Sequence, residues 1–166
     1  MKKLFALFTL VAAVVAITSC SGGPKIKGTP IEKPHFTIIQ PEGWELVANE
    51  DAKEGDMNAV NRVEIKHKGE KFSHFVNIKE DTEAYEKALE YYLSPDGGYK
   101  KIEEINVEGG KLTVLRKDDR NSYWIIAPQG PKTDASVKIS VSTDEIKGDP
   151  ITNEEVRAIL ESIVLK

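Results

Sequence analysis

Residues 136–142, Ser-Val-Lys-Ile-Ser-Val-Ser, alternate apolar and polar side chains without a break. A period of two puts Val137, Ile139 and Val141 on one face of an extended chain and Ser136, Lys138, Ser140 and Ser142 on the other. A helix would scatter the same residues around its circumference. One apolar and one polar face predict a strand of an antiparallel sheet, packed on one side and wet on the other. The rest of the chain must then supply its partners.

Similar alternation recurs upstream. Residues 102–128 read as three short strands, with turns at Gly109-Gly110 and at residues 118–121. Residues 61–79 read as a hairpin with Val63, Ile65 and His67 on one face and residues 68–71 at its turn. Residues 36–39 and 44–47 read as a further strand pair around Gln40-Pro41-Glu42-Gly43, where proline and glycine suit a reverse turn. Residues 49–58 read as a polar loop. Two helices complete the pattern. The first is capped by Asp81 or Thr82, carries Tyr85, Ala88, Leu89 and Tyr92 on one stripe, and ends at the Pro95 and Gly97-Gly98 segment. The second has a capping box of Thr152 and Glu155 and a stripe of Val156, Ile159, Leu160 and Ile163. The expectation is an α+β fold, an antiparallel sheet of about six or more strands with packed helices.

The beginning of the chain obeys different rules. Met1-Lys2-Lys3 is followed by an apolar run from 4 to 17 interrupted only by Thr9, and then by Thr18, Ser19 and Cys20. As a helix such a run is roughly 21 Å long, short of the ~30 Å hydrocarbon core, which favours a cleavable signal segment over a permanent span. Ile17-Thr18-Ser19-Cys20 resembles the lipobox of bacterial lipoproteins. The resemblance implies a diacylglycerol thioether on the Cys20 sulfur, cleavage before Cys20, and acylation, as with palmitate, of the new amine. Two or three acyl chains suffice for stable membrane attachment. Cys20 is the only cysteine, so neither an internal disulfide nor a cysteine pair for a metal is open to it. Residues 1–19 are therefore read as a lipoprotein signal peptide, 20–34 as the lipidated cysteine and a Gly/Pro/Lys tether, and 35–166 as a single domain. In the lipoprotein family an acidic residue or cluster after the cysteine marks other destinations. Ser21 followed by lysines implies an outer-membrane lipoprotein facing the periplasm.

Removing residues 1–19 takes away Lys2 and Lys3 and leaves 21 basic against 27 acidic residues, a net charge of −6. The charges are mixed along the chain, with no basic stripe of the kind a nucleic-acid module needs. In the order of its elements, and at Phe36, Ile38, Pro41, Gly43 and Trp44 in front and Ile159, Ser162 and Ile163 at the end, the chain resembles the PsbP-like superfamily. That superfamily includes the extrinsic PsbP subunit of photosystem II, a Ran-binding nuclear import factor and several bacterial lipoproteins. The resemblance covers most of residues 33–166 and implies an α/β/α sandwich and a binding or assembly role. It carries across no catalytic residue and no cofactor.

Reactive motifs are scarce. Gly23 to Gly28 has phosphate-loop spacing but is followed by Thr29-Pro30, without the lysine that meets phosphate. There is no Gly-x-Ser-x-Gly elbow and no His-Glu-x-x-His pair. His67 and His74 fall on one face of the 61–79 hairpin, where they are either a weak metal pair awaiting a third ligand or two hydrogen-bonded side chains. His35 reads as a surface residue. Asp118, Asp119 and Arg120 read as a polar hairpin tip rather than a proton-exchanging pair. Trp44, Tyr123 and Trp124 read as sheet residues. Because Tyr123 and Trp124 alternate, one points to the core and the other offers a contact surface. The leading expectation is a membrane-anchored, non-catalytic binding or assembly module with an envelope protein partner. The alternative is a small-ligand or metal-binding protein, or an enzyme, using a sheet-helix cleft lined by Trp124, Tyr85 and the histidines, with a buried ionisable group.

Overall fold

The computed structural model describes residues 26–53, 60–68, 74–117, 122–129, 132–143 and 150–166. The signal segment, Cys20 and residues 21–25 of the expected tether, residues 69–71 of the hairpin turn and the Asp118-Asp119-Arg120 tip lie outside the described residues.

Among the described residues the fold is β-rich. Ten strands form two antiparallel sheets, accompanied by two short α-helices. In chain order these are β1 (Gly28–Glu32), β2 (Phe36–Pro41), β3 (Trp44–Glu50), β4 (Arg62–His67), β5 (His74–Asp81), α1 (Tyr85–Leu93), β6 (Tyr99–Val107), β7 (Gly110–Lys117), β8 (Ser122–Gln129), β9 (Lys132–Thr143), α2 (Glu154–Glu161) and β10 (Val164–Leu165). The larger sheet runs β3-β4-β5-β9-β8-β7-β6, and the smaller runs β1-β2-β10.

This overturns the expected α+β sandwich with packed helices. The helices are only nine and eight residues long, and the layer over the core face of the large sheet is itself partly a sheet. The cause is non-local pairing. β2 does not pair with β3 across the Pro41–Gly43 turn; it pairs with β1 and with β10. β1 lies in the stretch whose composition suggested tether. Ile31 is its one buried residue, which suffices to seat the strand against the core. Gly43, at φ +88°, supplies the left-handed turn that carries the chain from the small sheet into the large one.

The main core lies between the sheets. Val63, Ile65, Val76, Ile78, Ile125, Ile139 and Val141 of the large sheet meet Phe36 and Ile38 of the small sheet and Val156, Ile159 and Leu160 of α2. Each such side chain, fully buried, contributes roughly 1.5–3 kcal/mol by the hydrophobic effect. A second cluster, Ala88, Leu115 and Ile126 with Tyr85, Leu89, Tyr92, Tyr99 and Trp124, packs α1 on the opposite face of the large sheet. The edge strands β3 and β6 each carry a bulge, at Val47 and Ile102, which interrupts the ladder a foreign strand would need.

Both helix starts differ from expectation. α1 begins at Tyr85 with no side-chain cap, because the Asp81 carboxylate instead accepts the Glu83 amide at 2.9 Å and faces a lysine. α2 is capped by Asn153, whose Oδ1 accepts the Glu155 and Val156 amides at 3.0 and 3.1 Å; Thr152 belongs to a preceding 3-10 turn.

β10 joins the sheets. The Leu165 amide donates to the Glu108 carbonyl at 2.9 Å, so the β6–β7 turn lies directly on the C-terminal strand. A Cβ on Gly109, at φ +83°, would come within 2.0 Å of the Leu165 carbonyl oxygen, whereas one on Gly43 would meet nothing within 4 Å. Gly109→Ala is therefore expected to destabilise the domain by about 2–4 kcal/mol, strain and clash together, and Gly43→Ala by only about 1 kcal/mol. Chemical denaturation of the two variants checks the order, and equal losses would contradict the close approach of β10.

Candidate functional site

The alternation that makes β4 and β5 half-buried strands also sorts their polar residues onto two faces. Val63 and Ile65 of β4 and Val76 and Ile78 of β5 point to the main core. His67 and His74 share that parity and lie at the hairpin end of the same face. The register ends at Lys66 opposite Phe75, so its next step sets His67 opposite His74.

Both imidazoles turn to the start of α2, each toward a different residue. His67 Nε2 lies 3.5 Å from Glu155 Oε2, and its ring meets the Trp44 indole edge-on at 5.7 Å. Trp44 Nε1 donates to the same carboxylate oxygen at 3.2 Å. His74 Nε2 lies 3.3 Å from Asn153 Nδ2. Asn153 Oδ1 is taken by two backbone amides, so it is the Nδ2 group that faces the His74 ring. The pair is thus divided between two partners. Among the described residues no three His, Cys, Asp or Glu side chains are placed to share a metal ion.

Tyr123 and Trp124 separate as alternation demands. Tyr123 is 1 % exposed and belongs to the main core, so it lines no surface; its side chain has the parity of Val141 and Val76. Trp124 is on the other face, half-buried against α1, with its ring 5.9 Å from that of Tyr92. Tyr85 stands on this face too, its hydroxyl 2.9 Å from Thr113 Oγ1. The histidines therefore lie on one face of the large sheet and Trp124 and Tyr85 on the other. The expected common cleft does not form. An open hollow of about 350 Å³ instead lies at the far end of β5, among Asn61, Lys79, Glu80, Asp81, Thr82 and Gln129. Half-buried His35 is nearby, with its amide donating to Glu80 Oε1 at 3.1 Å.

The face of β9 expected to be wet is partly covered. Ser136 is fully buried and Lys138 is 8 % exposed, because α1 and the segment leading into it lie over them. Lys138 Nζ donates to Glu83 Oε2 at 2.6 Å, sits 3.2 Å from Asp81 Oδ2, and lies 5.9 Å from the centre of the Tyr92 ring. Burial by itself lowers the ammonium's pKa, but the Glu83 hydrogen bond and the Asp81 charge outweigh it and hold Lys138 above the ordinary lysine value. Burial likewise raises Asp81, and the Glu83 amide with Lys138 and Lys79 outweighs that to leave it below the ordinary aspartate value. Tyr92 is raised, chiefly by burial. A lysine held charged is a structural cation, the opposite of the depressed lysine that serves as a base or nucleophile. Nothing in the strand period announced this cluster; the Asp81 and Glu83 carboxylates just ahead of a helix were its only trace.

Beyond α1 the same face is largely polar and half-buried among the described residues. Arg62 Nε donates to Asn77 Oδ1 at 3.3 Å, Asn77 Nδ2 donates to Glu64 Oε2 at 3.1 Å, and the Arg62 guanidinium pairs with Glu64. A charged floor thus adjoins the aromatic side of α1, an arrangement suited to contact with a polar partner. Comparison with known protein families, characterised proteins and solved structures finds no match. The PsbP-like resemblance rests on the short segments named above.

The Lys138 cluster predicts a pH response. Asp81, depressed in the folded state, contributes stability that is fully present above its unfolded value of about 3.9 and is lost as pH falls through the lower folded value. Lys138, raised, contributes stability present below about 10.4 and lost as pH rises through the higher folded value. Lys138→Met should cost about 1–3 kcal/mol at pH 7 and flatten both the acid and the alkaline limbs of the stability profile. An unchanged profile from pH 2 to 11 would contradict the pairing.

Proposed function

We propose that this chain is a lipoprotein held to a bacterial membrane through acyl chains on Cys20, with its β-rich domain acting as a non-catalytic binding or assembly module in the cell envelope. The observation that carries the reading is the sequence Ile17-Thr18-Ser19-Cys20 at the end of a short apolar run, with no other cysteine in the chain. The location that follows is the periplasmic face of the outer membrane, since Ser21 and lysines rather than acidic residues follow the cysteine. The binding role draws support from the half-buried polar face of β4 and β5, where Arg62, Glu64 and Asn77 form a linked polar floor on the side of the sheet that also carries Trp124. Its ionisable groups are committed to one another, which suits recognition of a folded polar partner more than bond-making chemistry. No helix among the described residues is long and apolar enough to cross a membrane.

Replacement of Cys20 by Ser is expected to move the protein from the membrane fraction to the soluble fraction, or to leave an unprocessed precursor. Fractionation after a high-salt, detergent-free wash decides it, and tight attachment of a correctly cleaved Cys20→Ser protein would refute the anchor. For the partner surface, Asn77→Arg is expected to reduce crosslinking to the envelope partner by at least about tenfold, equivalent to ~1.4 kcal/mol, without changing thermal stability by more than a few degrees. Undiminished crosslinking would move the contact surface elsewhere.

A further inference from the structure

We infer that one end of the domain faces the bilayer: the end built from the Pro41–Gly43 turn, the adjoining ends of β4 and β5, and the start of α2. The inference rests on lipid attachment at Cys20. It concerns which surface the lipid headgroups meet.

Ile26, six residues after Cys20, already packs against the main core, and β1 starts two residues later at Gly28. That start is fixed in place: Gly28 is registered opposite Pro41, and a Cβ on it would come within 2.2 Å of the Gln40 carbonyl oxygen. The neighbouring surface follows from a chain of contacts. The Lys68 amide donates to the Gly43 carbonyl at 2.8 Å, Trp44 is paired with His67, and His67 and His74 reach Glu155 and Asn153 at the head of α2. The point where the tether enters, the Gly43 turn, the hairpin end and the helix start therefore form one continuous end of the molecule.

The opposite end is equally well defined. There the His35 amide donates to Glu80, Asn61 donates to the same carboxylate at 2.6 Å, and the Lys166 amide donates to the His35 carbonyl. β5 runs between the two ends from His74 to Asp81, eight residues or about 23 Å at strand rise.

Tether length then decides the orientation. Six residues reach at most about 21 Å when fully extended. Inverting the domain would lift this entry point by about the 23 Å length of β5, more than six residues can span. The Gly43 end facing the headgroups makes no such demand. It follows that the polar floor of β4 and β5 stands side-on to the membrane, and that the hollow near Asn61 and Gln129 opens away from it.

The test uses the full-length, lipid-modified protein attached to phosphatidylethanolamine/phosphatidylglycerol vesicles containing a nickel-chelating lipid. Glu42→Cys marks the near end and Glu108→Cys the far end; both positions are exposed turns, and each carries a nitroxide. Nickel-induced relaxation is expected to be several-fold stronger at position 42 than at 108, and the difference should vanish when twenty Gly/Ser residues are inserted between Lys25 and Ile26. Equal relaxation at the two positions in attached protein would overturn the orientation while leaving the anchor intact. A difference that survives the long insert would overturn the tether as its cause. Failure of the full-length protein to attach to vesicles would refute the anchor at Cys20, and the orientation with it.

Discussion

The indole of Trp44 is the contact on which the two halves of the fold depend. β2 leaves the small sheet at Pro41, the chain reverses at Gly43, and Trp44 opens the large sheet with its side chain 1 % exposed. Its N–H needs a partner once buried, and Glu155 supplies it from α2. His67 closes the other side of the ring. A single aromatic residue thus ties the crossover between sheets, the end of the β4–β5 hairpin and the first turn of the C-terminal helix.

Two differently finished faces follow from that arrangement. The inner face of the large sheet is apolar and is covered by the small sheet and α2. The outer face is covered by α1 over the β7–β8–β9 half, and there Lys138 is tolerated under the helix because two carboxylates arrive with it. Among the described residues no helix lies over the outer face of β4 and β5. Its residues satisfy one another through Arg62, Asn77 and Glu64, which keeps an exposed sheet surface soluble while leaving it chemically distinctive. The proposed binding role rests on this polar face.

Much of the local structure was legible in the sequence. The alternation at 136–142 yields β9, the stripes around Ala88 and Val156 yield both helices, and the alternation of Tyr123 with Trp124 correctly separates core from outer face. Non-local pairing was not legible. Periodicity says that residues 36–39 form a strand and is silent on whether β3, β1 or β10 lies beside it, and Gly28-Thr29-Pro30 resembles a linker until Ile31 finds the core. The same limit applies to the site. Parity places His67 and His74 on one face, while the residues they engage, Glu155 and Asn153, lie on a helix about eighty residues further along the chain. A polar position such as Lys138 reports that its face is not apolar, and cannot report that a helix lies over it.

The claim at the centre of this account is that Cys20 is the point of attachment. Mass spectrometry of the N-terminal peptide from protein extracted from membranes tests it most directly. The account predicts a peptide that begins at Cys20 and carries diacylglycerol on its sulfur. A chain that retains residues 1–19, or a peptide with a free Cys20 thiol, would contradict it.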